Sequence, residues 1–456
     1  MESMDNYTQV NKELAEKYGE RAFMYTEYPH KKFWSKKFDD TDYRTVLKNI
    51  DNNNSPILLY LHIPYCQQLC WFCTCHLWIT NNYEKVKQYL ELLICEIKLY
   101  HNFLEENSIV LNIQEIHLGG GSPTYLKKEE FIRLIQELKS IVNFKNIHEF
   151  SIEIDPRRIN KEMLLFYHEM GVNRISFGIQ DFDPKVQKAI NRIQPAHLTS
   201  DLLTGDVRRY FHSINFDIIC GLPNQTPESI RKTMESVVEM SPDRVCLNYL
   251  HISNNFAPHQ KLLEKNSELP NLLERKSLFH VAQEVLLNGG YLRTGYDHFA
   301  KPNDGVALSM EKKTMAWNAL GYTPGECTEV LGLGVHSYSN LNGINYSQNI
   351  FEELEYSKAL KNKKFPIFRG YQLKKDDIIR RDVINSLRSY FNVNFCEIEQ
   401  KHKIDFKKYF KNEIQRLYPF MDDGIVTLSE DIIAITELGK VFTDRVCQNF
   451  DSFIEQ

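Results

Sequence analysis

Tyr60-Leu61-His62-Ile63-Pro64-Tyr65-Cys66-Gln67-Gln68-Leu69-Cys70-Trp71-Phe72-Cys73-Thr74-Cys75 is the stretch on which the fold turns. With Ile57-Leu58-Leu59 before it, its first part is an unbroken apolar run of strand length. Such a run suits a strand covered on both faces, as in a parallel sheet. Its second part is a loop with thiols spaced Cys66-x3-Cys70-x2-Cys73 and a further one at Cys75. Unusual residues just after a strand fit an α/β fold, whose chemistry gathers at the C-terminal ends of its strands.

Downstream, short β-branched or apolar runs alternate with helix-period segments. After Tyr83 the apolar residues Val86, Leu90, Leu93, Ile97, Tyr100 and Leu104 predict a helix. Glu115 to Leu118 predicts a strand ending in three glycines, and Phe131, Leu134, Ile135 and Leu138 mark the next helix. Strand Phe150–Ile154, helix Lys161–Met170, strand Arg174–Phe177 and helix Pro184–Ile190 follow, while Gln194 to Arg208 fits no clear pattern. Strand Ile214–Cys220, helix Pro227–Met240, strand Arg244–Asn248, helix Leu278–Leu287 and strand Tyr291–Thr294 complete the series. About six strand–helix units in succession predict an α/β fold with a parallel sheet that closes into a full or partial barrel. After about Leu360 the pattern becomes mainly helical: Asp376 to Tyr390, Asp405 to Leu417, a small hairpin at Ile425–Leu428 and Ile432–Thr436, and a last helix toward Ile454. The basic stretch Lys401-His402-Lys403 to Lys411 reads as a solvated helix face rather than a nucleic-acid surface.

The 456 residues carry 55 Lys+Arg against 60 Asp+Glu, a net charge of −5, so no sequence-wide attraction to nucleic acid or an anionic membrane is expected. No apolar run approaches the ~18 residues of a membrane span. Met1 to Glu20 is polar with no export pattern, which points to a cytoplasmic protein. In that setting four of ten cysteines within one short loop mean metal or catalysis rather than disulfides. Cys95, Cys220, Cys246, Cys327, Cys396 and Cys447 are scattered and read as ordinary small buried residues.

Soft thiolates select zinc, copper(I) or an iron–sulfur cluster. Three cysteines on a four-iron cluster leave one iron open to a small chelating molecule. Zinc is the other reading, with Cys66, Cys70, Cys73 and His76 as a Cys3His set. Cys75 is a further candidate ligand whose direction depends on the loop geometry. Tyr65, Trp71 and Phe72 would shield a cluster from water. Each later strand also ends on chemically expressive residues: Gly119-Gly120-Gly121-Ser122-Pro123-Thr124, Glu153-Ile154-Asp155-Pro156-Arg157, Gly178-Ile179-Gln180-Asp181-Phe182 with Asn191-Arg192, and Asp217-Ile218-Ile219-Cys220-Gly221-Leu222-Pro223. Glycines let backbone approach a ligand closely. A carboxylate at Glu153 can bind ribose hydroxyls or pair with an arginine.

The cysteine loop resembles that of the radical S-adenosylmethionine (SAM) enzymes. In this order the motifs are similar to those of the oxygen-independent coproporphyrinogen III oxidase (HemN) family over nearly the whole chain. Supporting stretches are Tyr25-Thr26-Glu27-Tyr28-Pro29, Asn248-Tyr249, Asp297-His298-Phe299-Ala300, Gly332-Leu333-Gly334-Val335 and Ile379-Arg380-Arg381-Asp382-Val383-Ile384. The resemblance implies a partial (β/α)6 radical SAM barrel with an N-terminal extension and a mainly helical C-terminal domain. The expected divisions are 1–55, 56–300, a barrel-closing segment 301–360, and 361–456. The implied reaction is decarboxylation of two propionates of coproporphyrinogen III to vinyl groups, giving protoporphyrinogen IX. The implied cofactors are one 4Fe–4S cluster on Cys66, Cys70 and Cys73, and two SAM molecules. Tyr60, Gly120, Glu153 and Tyr338 would contact the cluster-bound SAM. Phe72, Gly121, Ser122, Gln180, Arg192, Asp217 and Leu250 would contact the second. Tyr60, Gln180, Arg192 and Asp217 are the expected catalytic set, and Cys75 matches a cysteine of the oxidases that is not a ligand. The resemblance further implies a flavodoxin or ferredoxin as electron donor and a monomer.

The sequence departs from the family pattern on the substrate side. Arg-Tyr-Thr-Ser-Tyr-Pro is Met24-Tyr25-Thr26-Glu27-Tyr28-Pro29 here, with Lys31, Lys32, Lys36 and Lys37 nearby. Gln-Gly-Tyr-Thr-Thr is Leu320-Gly321-Tyr322-Thr323-Pro324, and Asp-Thr-Asp is Cys327-Thr328-Glu329. A carboxylate at Glu27 would repel a substrate with four propionates. A HemN-like enzyme acting on another substrate, by C-methylation or haem-ring opening, is therefore the alternative, followed by a haem chaperone and a zinc-stabilised structural protein.

Overall fold

The computed structural model describes residues 12–19, 25–50, 55–205, 207–253, 256–266, 268–325 and 327–454. Met24, Glu326 and most of the Met1–Glu20 segment lie outside the described residues. The chain gathers into two compact units, one of residues 35–269 with 326–372, the other of residues 1–34, 270–325 and 373–456.

The first unit is built on strands β1 (Ile57–Ile63), β2 (Ile113–Gly120), β3 (Glu149–Ile154), β4 (Arg174–Gln180), β5 (Ser213–Cys220) and β6 (Arg244–Tyr249). They lie side by side in chain order and all pair in parallel. All seven residues of β1 are buried, which is why the sequence there lacks the alternation of a half-exposed strand. Helices α1 (Tyr83–Glu106), α2 (Lys128–Leu138), α3 (Lys161–Glu169), α4 (Pro184–Ala189) and α5 (Pro227–Met240) make the crossovers. Asn82 caps α1 by accepting from the Glu84 N–H, and Thr226 and Ser229 form a reciprocal capping box on α5 with Pro227 at its first position. The unassigned stretch from Gln194 holds two short helices, Ala196–Leu202 and Val207–Tyr210.

The strand expected at Tyr291–Thr294 does not extend the parallel series. Only Leu292–Arg293 is extended, and it pairs antiparallel with His298–Ala300 in the second unit. Gly295, at φ +81°, reverses the chain at once. A seventh parallel strand, β7 (Glu329–Leu333), instead lies on the other side of β1, with Tyr60 opposite Gly332. Strands β8 (Tyr338–Leu341), β9 (Asn345–Asn349) and β10 (Ile367–Gln372) continue antiparallel from it, and helix α6 (Glu353–Lys361) lies between the last two. The partial (β/α)6 arrangement is therefore present, widened at its first strand by a mixed edge.

In the second unit, helix Lys375–Tyr390 carries Ile379, Val383, Ile384 and Leu387 into a core with Phe395, Phe406, Phe410, Val446 and Phe450. Tyr25 and Tyr28 belong to the same core, and the Tyr25 hydroxyl donates to Asp451 at 2.8 Å. The small hairpin is Val426–Leu428 with Ile432–Ile435, and Asn392–Asn394 joins it as a third strand. The expected helix Asp405–Leu417 is broken into Phe406–Tyr409 and Lys411–Arg416. In the basic stretch, Lys401 and His402 both pair with Asp382, at 2.7 and 2.8 Å, so part of its charge is neutralised within the fold. Of the scattered cysteines, Cys95 and Cys396 are exposed, correcting the expectation that all six are buried. No described helix is long and apolar enough to cross a membrane.

Candidate cofactor site at the C-terminal rim of the sheet

The loop after β1 is fixed by its backbone. Trp78 N–H donates to Pro64 O at 2.6 Å and Thr80 N–H to Cys66 O at 3.0 Å, so the chain leaves and returns as a short parallel pairing. Groups distant in sequence hold the loop's tip. Trp71 N–H donates to Ile190 O, Asn191 Nδ2 to Leu69 O, Gln260 Nε2 to Phe72 O, and His259 Nε2 lies 2.8 Å from Cys73 O.

The three thiols have different surroundings. Cys70 has Arg192 Nη1 at 3.4 Å and Arg157 Nη2 at 3.7 Å, so two guanidinium groups lie against one sulfur. Burial, with Cys73 and Cys70 beside it, pushes the Cys66 thiol up. A hydrogen bond from the neighbouring Cys75 thiol holds Cys73 below its ordinary value.

The glycine motif lies directly against this loop. Gly121 N–H donates to Ile63 O at 2.8 Å and Ser122 N–H to Tyr65 O at 2.9 Å. A Cβ on Gly121 would come within 2.9 Å of the Pro64 and Tyr65 backbone, and one on Gly120 within 2.6 Å of the His62 ring. Gly120 also needs its φ of +111°. Ser122 is buried, and with Cys66, Asp155 and Arg157 it lines a cavity of about 250 Å³.

Glu153 accepts from the Gly120 N–H at 3.1 Å and faces His117 Nε2 at 3.4 Å. Burial opposes its charge, but His117 and the Gly120 N–H outweigh burial and keep the carboxyl below its ordinary range. Its partner is thus a histidine and not an arginine. Tyr60 stacks on His117 at 5.9 Å and shares a 2.9 Å hydrogen bond with His62 Nδ1. Burial raises the Tyr60 hydroxyl well above its usual value and lowers His62 to about 4, so both are neutral near pH 7.

Further along the rim, Asp155 pairs with Arg157 at 2.6 Å and with Arg192 at 3.4 Å. Arg192 also donates to Gly178 O and to Gln194 Oε1. Gln180 ends β4 at φ +67°, its amide beside Gly178, where a Cβ would come within 3.0 Å. Asp217 accepts from Ser176 Oγ and Asn215 Nδ2 one strand over. Leu250 is buried in an apolar patch with Val186, Ile190 and Leu222, against which Trp71 and Phe72 pack. Tyr338 begins β8, its ring 5.9 Å from that of Tyr346, and its backbone comes so close to Gly332 that a Cβ there would collide with it.

Two clusters therefore form: Cys70 with Asp155, Arg157 and Arg192, and Glu153 with Gly120, Tyr60, His62 and His117. Asp217, Leu250 and Tyr338 lie in neighbouring patches of their own. His62, His117, Arg157, His259 and Gln260 were not singled out from the sequence, although His62 and Arg157 fall inside quoted motifs. Glu96 was missed as well. It sits on the buried face of α1 and accepts from Gly334 N–H (2.6 Å), Asn349 Nδ2 (2.7 Å) and the Tyr356 hydroxyl (2.5 Å). Its neighbour Tyr89 donates to His62 O and accepts from Val335 N–H. A carboxyl next to Ile97 in an otherwise apolar periodic face was the available signal.

The donor set suits a cluster better than one zinc ion. Zinc ligand atoms must lie about 3–4 Å apart around a metal–sulfur distance of ~2.3 Å. Among the described residues, no three of Cys66, Cys70, Cys73 and His76 bring their ligand atoms within 4.8 Å of one another. His76 is occupied elsewhere, with Nε2 3.0 Å from Phe351 O and its ring stacked on His336. Wider-set thiols beside a cavity fit a larger inorganic group.

Residues 60–237 match the Radical SAM superfamily and residues 373–442 the HemN C-terminal domain. The oxygen-independent coproporphyrinogen III oxidase of Salmonella typhimurium is 35% identical over 97% of this chain and 95% of its own. That of Helicobacter pylori strain 26695 is 33% identical over 98% and 97%. The solved structure of Escherichia coli HemN, described as a radical SAM enzyme, superposes with a TM-score of 0.88 at 34% identity, covering 94% of this chain and 97% of the other. With cysteine loop, glycine turn and C-terminal domain all matched, the chain belongs to the oxygen-independent coproporphyrinogen III oxidase family of the radical SAM superfamily.

Proposed function

We propose that this chain is an oxidoreductase that converts two propionates of coproporphyrinogen III to vinyl groups with loss of carbon dioxide. The product, protoporphyrinogen IX, would serve haem formation without oxygen. The observation that carries this is coverage: the likeness runs over 97% of this chain and 95% of the relative, so it is not confined to a shared barrel.

Cys66, Cys70 and Cys73 would hold a 4Fe–4S cluster. Tyr60, Gly120, Glu153 and Tyr338 would contact the SAM on it, and Phe72, Gly121, Ser122, Gln180, Arg192, Asp217 and Leu250 a second SAM. When bound, cluster and SAM supply one-electron reduction and hydrogen-atom abstraction from a carbon that no side-chain base can deprotonate. The chain's own residues bind, orient and shield. Arg157 and Arg192 lie against Cys70, where they would offset the negative charge of a cluster-bound thiolate. Glu153, fixed by His117 and the Gly120 N–H, presents an ionised carboxylate to hydroxyl or ammonium donors. Trp71, Phe72 and Leu250 form an apolar wall that excludes water. Tyr60, Gln180, Arg192 and Asp217 are the proposed catalytic set.

Glu27 does not stand against the reading. Its side chain is 2% exposed and accepts from the Lys31 N–H at 2.9 Å and the Thr26 hydroxyl, so its charge is engaged locally. A flavodoxin or ferredoxin is the proposed electron donor, and a cytoplasmic monomer without nucleic-acid or membrane partners the proposed setting. The test is an anaerobic assay of reconstituted protein with reductant, SAM and coproporphyrinogen III, products read by mass spectrometry. Protoporphyrin with 5′-deoxyadenosine and methionine is expected. SAM cleavage with intact porphyrinogen would overturn the substrate, and a protein that holds zinc without iron would overturn the chemistry.

A further inference from the structure

At the opposite end of the same sheet, Glu115, His148 and Cys327 meet. Their ligand atoms all lie within 4.8 Å of one another, and His148 Nε2 is 3.2 Å from Glu115 Oε1. Parallel register makes the meeting. Glu115 is the third residue of β2, opposite Leu58 of β1 and Glu149 of β3. His148 immediately precedes β3, its N–H bonded to Gln114 O and its carbonyl to Asn173 Nδ2. Cys327 comes two residues before β7. The three side chains thus join the starts of β2, β3 and β7. Cys327 therefore lies at the end of the sheet away from the cysteine loop, which corrects the expectation that Cys327-Thr328-Glu329 is on the substrate side, and nothing in the proposed reaction uses the three residues.

We propose that Glu115, His148 and Cys327 form a zinc site separate from the cysteine loop. The chemistry selects the metal. A thiolate beside an imidazole and a carboxylate is a borderline-soft set, suited to zinc and unsuited to magnesium or calcium, which want oxygen alone. Charge also balances. One proton leaves the Cys327 thiol on binding, and a divalent ion with one thiolate, one carboxylate and a neutral imidazole is a neutral unit. That matters because Glu115 is 2% and Cys327 0% exposed, and an uncompensated charge would be costly there. The His148–Glu115 separation falls on the ~3–4 Å edge of a tetrahedral zinc site, and the pairs with Cys327 lie within 4.8 Å. The His148 side chain, 43% exposed, gives the ion its way in and leaves the fourth position to water. The ion would clip β7 to β2 and β3 across β1, which fits a structural role.

The test uses the holoenzyme with its iron–sulfur cluster reconstituted, so that the loop at Cys66 does not compete. Zinc alone is titrated and bound metal counted by mass spectrometry. Cobalt(II) alone serves as a second probe, read by its thiolate charge-transfer band. One equivalent of zinc beyond the iron is expected. His148→Gln, a change at an accessible side chain that should not disturb folding, is expected to weaken zinc binding at least about 100-fold. It should leave iron content and SAM cleavage unchanged. Cys327→Ser should abolish the cobalt charge-transfer band. Absence of the extra equivalent in the wild type, or equal zinc binding in wild type and His148→Gln, would overturn the proposal.

Discussion

The two ends of the parallel sheet are built by opposite means. At the N-terminal end, Glu149 lies between Arg174 at 3.0 Å and Arg244 at 4.0 Å, and the arginines hold its carboxyl low against burial. Arg208 closes on Asp243 in the same way. At the C-terminal end the backbone does the unusual work: Gly120, Gln180 and Asn191 adopt positive φ, and glycines leave space where a Cβ would collide. There the cations lie against a sulfur and a carboxylate together. Apart from the Glu115–His148–Cys327 cluster, closed ion pairs tie strands to one another at the first end, whereas open backbone and shared cations at the second prepare a surface for a larger group.

That contrast can be broken most sharply at Cys70. Cys70→Ala should lose bound iron and lower SAM cleavage by at least about 1000-fold, roughly 4 kcal/mol of barrier, while the urea midpoint of the apo protein moves little. Iron content and 5′-deoxyadenosine formation measure it; full activity in the variant would remove the loop from the chemistry.

A second probe is the carboxyl beneath the rim. Burial raises Glu96 to about 7 despite its three hydrogen-bond donors. Raised above its unfolded value, it favours the folded state fully below about pH 4.5. That advantage is lost as pH rises through 7, a change of up to about 3 kcal/mol. Urea unfolding at pH 5 and pH 8 should show the fall, and Glu96→Gln should flatten it.

The smallest effects separate the two ends by glycine. Gly120→Ala places a Cβ within 2.6 Å of the His62 ring and should cost about 100-fold in SAM cleavage, about 2.7 kcal/mol. Gly171, before β4 at the other end, has φ +98° but meets only Phe150 at 3.8 Å. Gly171→Ala should cost about 1 kcal/mol of stability with unchanged kcat. Similar activity losses at both positions would erase the distinction between the ends.

What the sequence made legible was local. The cysteine spacing, the glycine turn and the strand-end carboxylates are each contained in a few residues, so residue order carries them. Arg192 beside Cys70 and Glu153 beside His117 depend on which strands become neighbours, and no local pattern records that. β7 was hidden for the same reason: Glu329–Leu333 is short and gains its place only by pairing with β1. The hairpin at Leu292–Ala300 shows the converse, a short segment expected as another parallel strand that Gly295 turns back.

The clamps on the cysteine loop have a thermodynamic consequence. Fixing a residue's backbone costs about 1–2 kcal/mol of entropy. Here that cost falls on folding, because Ile190, Asn191, His259 and Gln260 already hold Leu69, Trp71, Phe72 and Cys73. Assembly of an inorganic group on the thiols then orders almost nothing. A protein stripped of iron by oxygen would remain a preformed template, ready to be refilled without refolding.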